Sequence, residues 1–247
     1  MVEPNTLTAQ RSLVARMLTQ SPADAVAAYF ALEHDPKRTR LTLRMDSTGR
    51  AIAFVAVCQT GLDLFRPLVI FRGEDDSALQ DATREALQPR RNYLFNTLPS
   101  LRPVLEKVVV FQSDAVHSIY ALNSADFHPI VNILVQNSRT PDGQLRASVK
   151  TREGGNAAEA GTSWISARFA EVFVNVIDGA RGRGLGKSVV SAVCAAALQM
   201  NRTPLYVVDP ENVASVRLAQ RLGFRNTGTH EVSGAVTLRD TASDLAN

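Results

Sequence analysis

Residues 180–188 read ARGRGLGKS, with glycines at 182, 184 and 186, arginines at 181 and 183, then Lys187 and Ser188. Such a stretch is suited to a phosphate. Glycines leave backbone N–H groups uncovered, and the basic side chains bring charge to an anion. Three phosphate-binding patterns compete for it. A Walker A loop would use Gly186-Lys187-Ser188 as its last three residues, but it needs a glycine where Arg181 stands. "LYVVD", ending at Asp209, would serve as the second strand of such an NTPase, yet only residues 210–247 remain beyond it. A dinucleotide loop, G-x-G-x-x-G, has a different glycine spacing and needs an acidic residue ending the next strand at a set distance. The third pattern, R-x-x-G-x-G, is met in full by Arg181, Gly184 and Gly186.

The loop needs elements that hold it. "FAEVFVNVI" before it reads as a strand. "GLGKSVVSAVCAAALQM" reads as a helix with Val189, Val190, Val193, Cys194, Ala197 and Leu198 on one face. A loop running into a helix N-terminus offers unpaired N–H groups and the positive end of the helix dipole, which favours a pyrophosphate. "TPLYVV" follows as a strand. "PENVASVRLAQRL" then reads as a helix, with Asp209 as N-cap, Pro210 as first residue and Gly223 at its end.

Two of these stretches together resemble the GNAT superfamily of N-acetyltransferases. R-x-x-G-x-G is similar to its acetyl-coenzyme A loop. "ENVASVRLAQRLGF" resembles its N-x-x-S-x-x-L-x-x-x-L-G-F helix through Asn212, Ser215, Leu218, Leu222, Gly223 and Phe224. The resemblance covers roughly residues 130–230. It implies acetyl-CoA as cosubstrate and no metal. Arg181, Gly182, Arg183, Gly184, Leu185, Gly186 and Lys187 would hold the pyrophosphate. The backbone of Val174, Asn175 and Val176 would hold the pantetheine arm, where their strand splays from its neighbour. Asn212 and Ser215 would touch the coenzyme from the second helix.

The implied reaction is direct transfer of an acetyl or short acyl group to a primary amine. An alkyl amine has a pKa near about 10, so a general base is needed, and the resemblance points to Glu171. The family's usual proton donor to the leaving thiol is a tyrosine at the position of Ala219 here. This departure leaves Tyr206, water or another donor as the acid. It also leaves open a second reading, an acetyl-CoA-binding sensor or scaffold with little turnover. A small P-loop NTPase is the third. Trp164, the single tryptophan, either lines an acceptor pocket or sits in a core.

The rest of the chain reads as an α/β protein with a mixed sheet, in GNAT-like form and duplicated. Residues 7–19 and 22–33 read as helices, the second with Ser21 as N-cap and Pro22 at its first position. "RTRLTLRMD", "RAIAFVAVC" and "RPLVIFR" read as strands, residues 75–88 as a helix and "NYLFNTL" as a strand. A short helix "PSLRPVLEKV" and two strands, "VVVFQS" and "SIYALN", follow. "HPIVNILVQN", "GQLRASVKT" and "GTSWISA" are expected as strands, and "GFRNTGTHEVSGAVTLRD" as a hairpin. Each half runs three strands, helix, strand, helix, two strands. The expected division is a degenerate domain over 1–127 and a catalytic domain over 128–247. At the first half's strand–helix junction stand Glu74, Asp75 and Asp76, which would repel a pyrophosphate, so one coenzyme site is expected.

Composition narrows the class. With 247 residues, 45% of them apolar, the chain can bury a large core. A net charge of +3, with basic residues scattered, argues against nucleic acid as partner. Cys58 and Cys194 sit in apolar stretches and form no metal-binding cluster. No stretch reads as a signal or membrane span. A cytoplasmic protein is expected, monomeric or homodimeric, whose partner is a small-molecule or peptide amine.

Overall fold

A computed structural model describes residues 6–61 and 63–240. The chain does not divide at a single point such as 127/128. One compact unit comprises Met1–His117 with His230–Asn247, and the other Ser118–Thr229. The chain therefore changes unit twice.

The first unit opens with α1 (Leu7–Met17), capped by the Thr6 hydroxyl. A second helical stretch follows: a 3-10 turn Pro22–Asp24, α2 (Ala25–Ala28) and a π-turn Tyr29–Glu33. Ser21 makes no capping bond there. The Asp24 carboxylate instead accepts from the backbone N–H and hydroxyl of Thr19. Three strands, β1 (Thr39–Met45), β2 (Ala51–Cys58) and β3 (Leu68–Gly73), pair antiparallel. Then α3 (Asp76–Ala86) crosses over to β4 (Asn92–Thr97), parallel to β3, and α4 (Arg102–Leu105) follows.

The second unit repeats this order. Strands β6 (Gln136–Arg139), β7 (Leu145–Lys150), β8 (Asn156–Ile165) and β9 (Phe169–Val176) pair antiparallel in sequence. Helix α5 (Leu185–Gln199) crosses over to β10 (Thr203–Val208), parallel to β9, and α6 (Val213–Arg221) follows. The core of this unit gathers Ala170 and Val172 of β9, Val189, Val193 and Cys194 of α5, and Tyr206 and Val208 of β10.

Two long strands join the units. Residues expected as two strands, "VVVFQS" and "SIYALN", form the single 14-residue β5 (Val109–Leu122). The expected C-terminal hairpin is the single 15-residue β11 (Phe224–Leu238). Gly228 takes φ +73° without reversing the chain. Each strand fills the place beside a parallel strand. In the first unit Val232–Thr237 of β11 pair antiparallel with β4. In the second, Ser118–Ala121 of β5 pair antiparallel with β10. The first unit thus takes its last strand from the C-terminal end of the chain, and for that reason no one cut separates the units.

Two further expectations fail locally. In "HPIVNILVQN" only Gln136 and Asn137 belong to a strand. Its apolar residues do not alternate, and Val131 and Ile133 are over nine-tenths exposed. The segment is tied to α5 by Ile130 N–H donating to Ser191 Oγ (2.8 Å) and Asn132 Nδ2 donating to Ser188 Oγ (3.1 Å). Helix α6 starts at Val213, and its N-cap is Asn212, which accepts from Ser215 N–H. The Asp209 carboxylate accepts from Glu211 N–H and its carbonyl from Asn212 N–H, both before the helix begins.

The β11 exchange depends on a close backbone approach. A Cβ on Gly234 would stand 2.0 Å from the Ser113 carbonyl oxygen. Gly234→Ala should therefore lower the unfolding free energy by about 1–3 kcal/mol, the usual penalty of overpacking, as read from urea denaturation.

Candidate active site

Strands β9 and β10 start as neighbours and then part. Their register runs Thr203↔Phe169, Pro204↔Ala170 and Leu205↔Glu171, and ends there. Both strands continue, β9 to Val176 and β10 to Val208. Over that stretch β10 stays paired with β5 and β9 with β8, so the two strands part while each keeps its other neighbour. Backbone groups of residues 172–176 on the β10 side are left without β10 partners, which leaves a slot between the strands.

The glycine loop closes the end of this slot. Gly184 is the N-cap of α5, at φ +77°, and no side chain caps the helix. Gly182 is also left-handed, at φ +75°, and both have open space where a Cβ would stand. These two glycines allow the turn and leave the helix N–H groups uncovered. Gly186 acts differently. It is buried, and a Cβ there would lie 3.1 Å from both Val176 and Leu218, so it brings α5 close to β9 and α6. Arg181 pairs with Asp178 at 3.1 Å, both well exposed. Arg183 is exposed and Lys187 half-buried on the same loop and first turn.

A cavity of about 380 Å³ opens at this place. Five of its lining residues are those the sequence singles out: Val174, Asn175, Val176, Arg181 and Asn212. The others are Ile177, Asn156 and Glu159. Asn156 and Glu159 escaped the sequence reading, because only the register Glu159↔Asn175 brings β8 to the slot. Asn156 Nδ2 donates to Glu159 at 2.7 Å.

Side chains alternate along β9. Val174 and Val176 lie toward α5, against Gly186. Glu171, Phe173 and Asn175 take the opposite face. There Trp164 Nε1 donates to Glu171 Oε2 at 2.9 Å, and the Arg146 guanidinium lies 5.0 Å from the Phe173 ring centre. Trp164 is only 3% exposed, so it is a core tryptophan whose indole N–H also orients Glu171. Ser215 lies on the first turn of α6, its hydroxyl 2.7 Å from that of Tyr206. Ala219 is fully buried.

The first unit has the same strand pattern with different contents. The β3–β4 register ends at Ile70↔Asn96. Two residues further, the buried Arg72 donates to Asp24 (3.2 Å) and to the carbonyls of Phe71 (2.8 Å) and Ala23 (3.0 Å). Helix α3 is capped by Asp75, which accepts from Ala78 N–H at 2.7 Å, and Glu74 pairs with Arg50 at 2.8 Å. Where α5 presents bare N–H groups, α3 presents carboxylates.

Comparison with known proteins fits this geometry. The FR47-like protein family model matches residues 160–232. Solved structures align over nearly the whole chain. The fold is that of the GNAT acetyltransferases. A GCN5-related N-acetyltransferase from Kribbella flavida is 14% identical, with TM-score 0.62, covering 92% of this chain and 99% of that one. A GCN5-related N-acetyltransferase-like protein from Streptococcus suis is 13% identical, with TM-score 0.60, covering 95% and 100%. A tandem GNAT protein from the clavulanic acid biosynthesis pathway is 13% identical, with TM-score 0.59, covering 96% of each chain. Curated proteins gave no match. Among the described residues no helix is long and apolar enough to cross a membrane, and no three His, Cys, Asp or Glu side chains gather as a metal site. Cys58 and Cys194 are buried, and burial pushes the Cys58 thiol up to about 12 and the Cys194 thiol up as well.

The plugged first unit makes a pH prediction. Burial raises the pKa of Glu231, against the opposing effects of Asn96, Arg72 and His117. The folded protein then holds this proton at a pH where the unfolded chain has lost it. Stability contributed by the group is present below the ordinary carboxylate range and is lost as pH rises through the raised value. Glu231→Gln should flatten the fall in melting temperature across that window.

Proposed function

We propose that the second unit binds acetyl-CoA and transfers its acetyl group, or a short acyl group, to a primary amine by direct attack. The observation that carries this reading is the parting of β9 from β10 after Glu171 and Leu205, with an uncapped helix N-terminus at the end of the slot. A pantetheine arm is an extended chain of amides, and it would pair with the backbone of Val174–Val176. The pyrophosphate would lie at the N–H groups of Gly182–Lys187, with Arg181 exchanging Asp178 for phosphate. Asn212 and Ser215 would contact the coenzyme from α6.

In this reading the acceptor is a small-molecule or peptide amine, and it approaches from the Glu171 face. Glu171 takes the amine's proton, directly or through water, so that a neutral nitrogen attacks the thioester carbonyl. A backbone N–H in the slot stabilises the oxygen as it gains charge. The first unit, with carboxylates at α3 and Arg72 in its own slot, binds no coenzyme.

One observation favours a second reading. Ala219, fully buried, stands where the resemblance puts a tyrosine acid. A chain without that acid would act as an acetyl-CoA sensor with little turnover.

Calorimetric titration with acetyl-CoA tests the site. Gly184→Glu forces a side chain into a left-handed position and adds a negative charge at the helix N-terminus, so it should abolish binding. An unchanged isotherm would remove the coenzyme from this loop. Glu171→Gln should leave acetyl-CoA binding intact and lower turnover with an amine acceptor by on the order of 10²–10⁴-fold. Equal turnover would discard Glu171 as base. Binding with no turnover across small amines and peptides would favour the sensor.

A further inference from the structure

We infer that the preferred acceptor is an amine carrying a second cationic group, which Glu159 of β8 holds while the first nitrogen is acetylated. This rests on the coenzyme reading above and adds the chemical class of the acceptor.

Glu159 lines the cavity at the end of the slot, together with Val174, Asn175, Val176 and Arg181. Its place follows from register. It stands directly opposite Asn175 on β9, and residues directly opposite in an antiparallel pair share a face. Side chains alternate along β9, so this is also the face of Phe173 and Glu171. A strand rises about 3.3 Å per residue, which sets Glu171 about 13 Å from Asn175 and Glu159 along the strand. The backbone of residues 172–174 lies between. An acceptor entering from this face meets a carboxylate at each end of that stretch: Glu171 for the reacting nitrogen, and Glu159 beyond it.

One oxygen of Glu159 is fixed and the other is open. Oε2 accepts from Asn156 Nδ2 at 2.7 Å, and Asn156 Oδ1 accepts from Lys150 Nζ at 2.6 Å. Oε1 has Arg146 Nε at 4.0 Å, beyond hydrogen-bond reach. Arg146 is engaged elsewhere. Its Nη1 donates to the carbonyls of Leu145 and Thr162, both at 2.8 Å, and its guanidinium lies 5.0 Å from the Phe173 ring centre. The Glu159 side chain is 33% exposed, so a ligand can reach it. Two of the side chains lining the cavity are charged, Arg181 and Glu159. With coenzyme in the slot, phosphate takes Arg181, and Glu159 is the charge left to an acceptor. An ammonium group offers three N–H donors, which the open Glu159 oxygen and the exposed Asn175 amide oxygen can accept. A monoamine whose one nitrogen reacts leaves this carboxylate without such a partner.

The test compares straight-chain diamines with monoamines of equal length, using the full chain and acetyl-CoA. The unaltered protein should show a kcat/KM roughly 10–100-fold higher for diamines, the effect of one hydrogen-bonded charge pair. Glu159→Gln keeps the side chain's shape and can still accept from Asn156. In it the ratio should fall to about one, chiefly through KM, while calorimetry shows acetyl-CoA bound as tightly as before. Equal use of diamines and monoamines by the unaltered protein would overturn the inference, and this arm stands even if the variant does not fold. A preference that survives in Glu159→Gln would overturn it too. So would weaker acetyl-CoA binding by the variant, which would make Glu159 a coenzyme contact. Where no amine turns over, the diamines are titrated calorimetrically into the coenzyme A complex. Binding lost in Glu159→Gln supports the inference; binding that the variant retains, or none at all, overturns it and leaves the coenzyme site standing. Failure of the unaltered protein to bind acetyl-CoA would overturn both.

Discussion

The second unit is organised by the separation of two parallel strands that begin side by side. A sheet interior normally pairs every backbone group, and unpaired groups away from water are costly. Here β10 keeps β5 and β9 keeps β8, while the two part from each other after Leu205 and Glu171. The resulting edge can be satisfied by water or by an extended ligand chain. Around this edge the other parts have their uses. Gly186 lets α5 lie close to β9, Gly184 turns the loop and exposes the helix N–H groups, and Asn212 starts α6 on the rim of the cavity.

β5 and β11 give β10 and β4 a second neighbour. A strand that lost one neighbour and had no other would fray. β10 is held by a strand from an earlier part of the chain, and β4 is held likewise by the last one. Both parallel pairs are therefore backed by long-range pairing. The first unit is therefore made of two separate stretches of sequence, with the second unit between them.

The two units show how one strand pattern serves different ends. Both have a parallel pair whose register stops early. In the first, Arg72 and Asp24 fill the place with a buried ion pair, and the following helix is capped by a carboxylate. In the second, the place is a cavity and the helix cap is a bare glycine. A buried charge is tolerated only when paired and hydrogen-bonded, and Arg72 meets three acceptors. The difference lies in a few side chains, not in topology.

The sequence alone determined whatever depends on neighbours within one element. The loop Arg181–Lys187, the apolar face of α5, the carboxylates before α3 and the motif on α6 were legible, because glycine spacing, helical period and charge are local. So was the repeated order of strands and helices. The tertiary structure decided what depends on pairing across the chain. That "VVVFQS" and "SIYALN" are one strand, and that the C-terminal stretch is no hairpin, follows from partners over 80 residues away, such as Leu205 for Ala121. So do the strand exchange, the presence of Glu159 and Asn156 at the cavity, the Trp164 bond to Glu171 and the meeting of Tyr206 with Ser215. No local pattern encodes these, because a strand's residues fix which side chains share a face, while register with a distant partner fixes what those side chains meet.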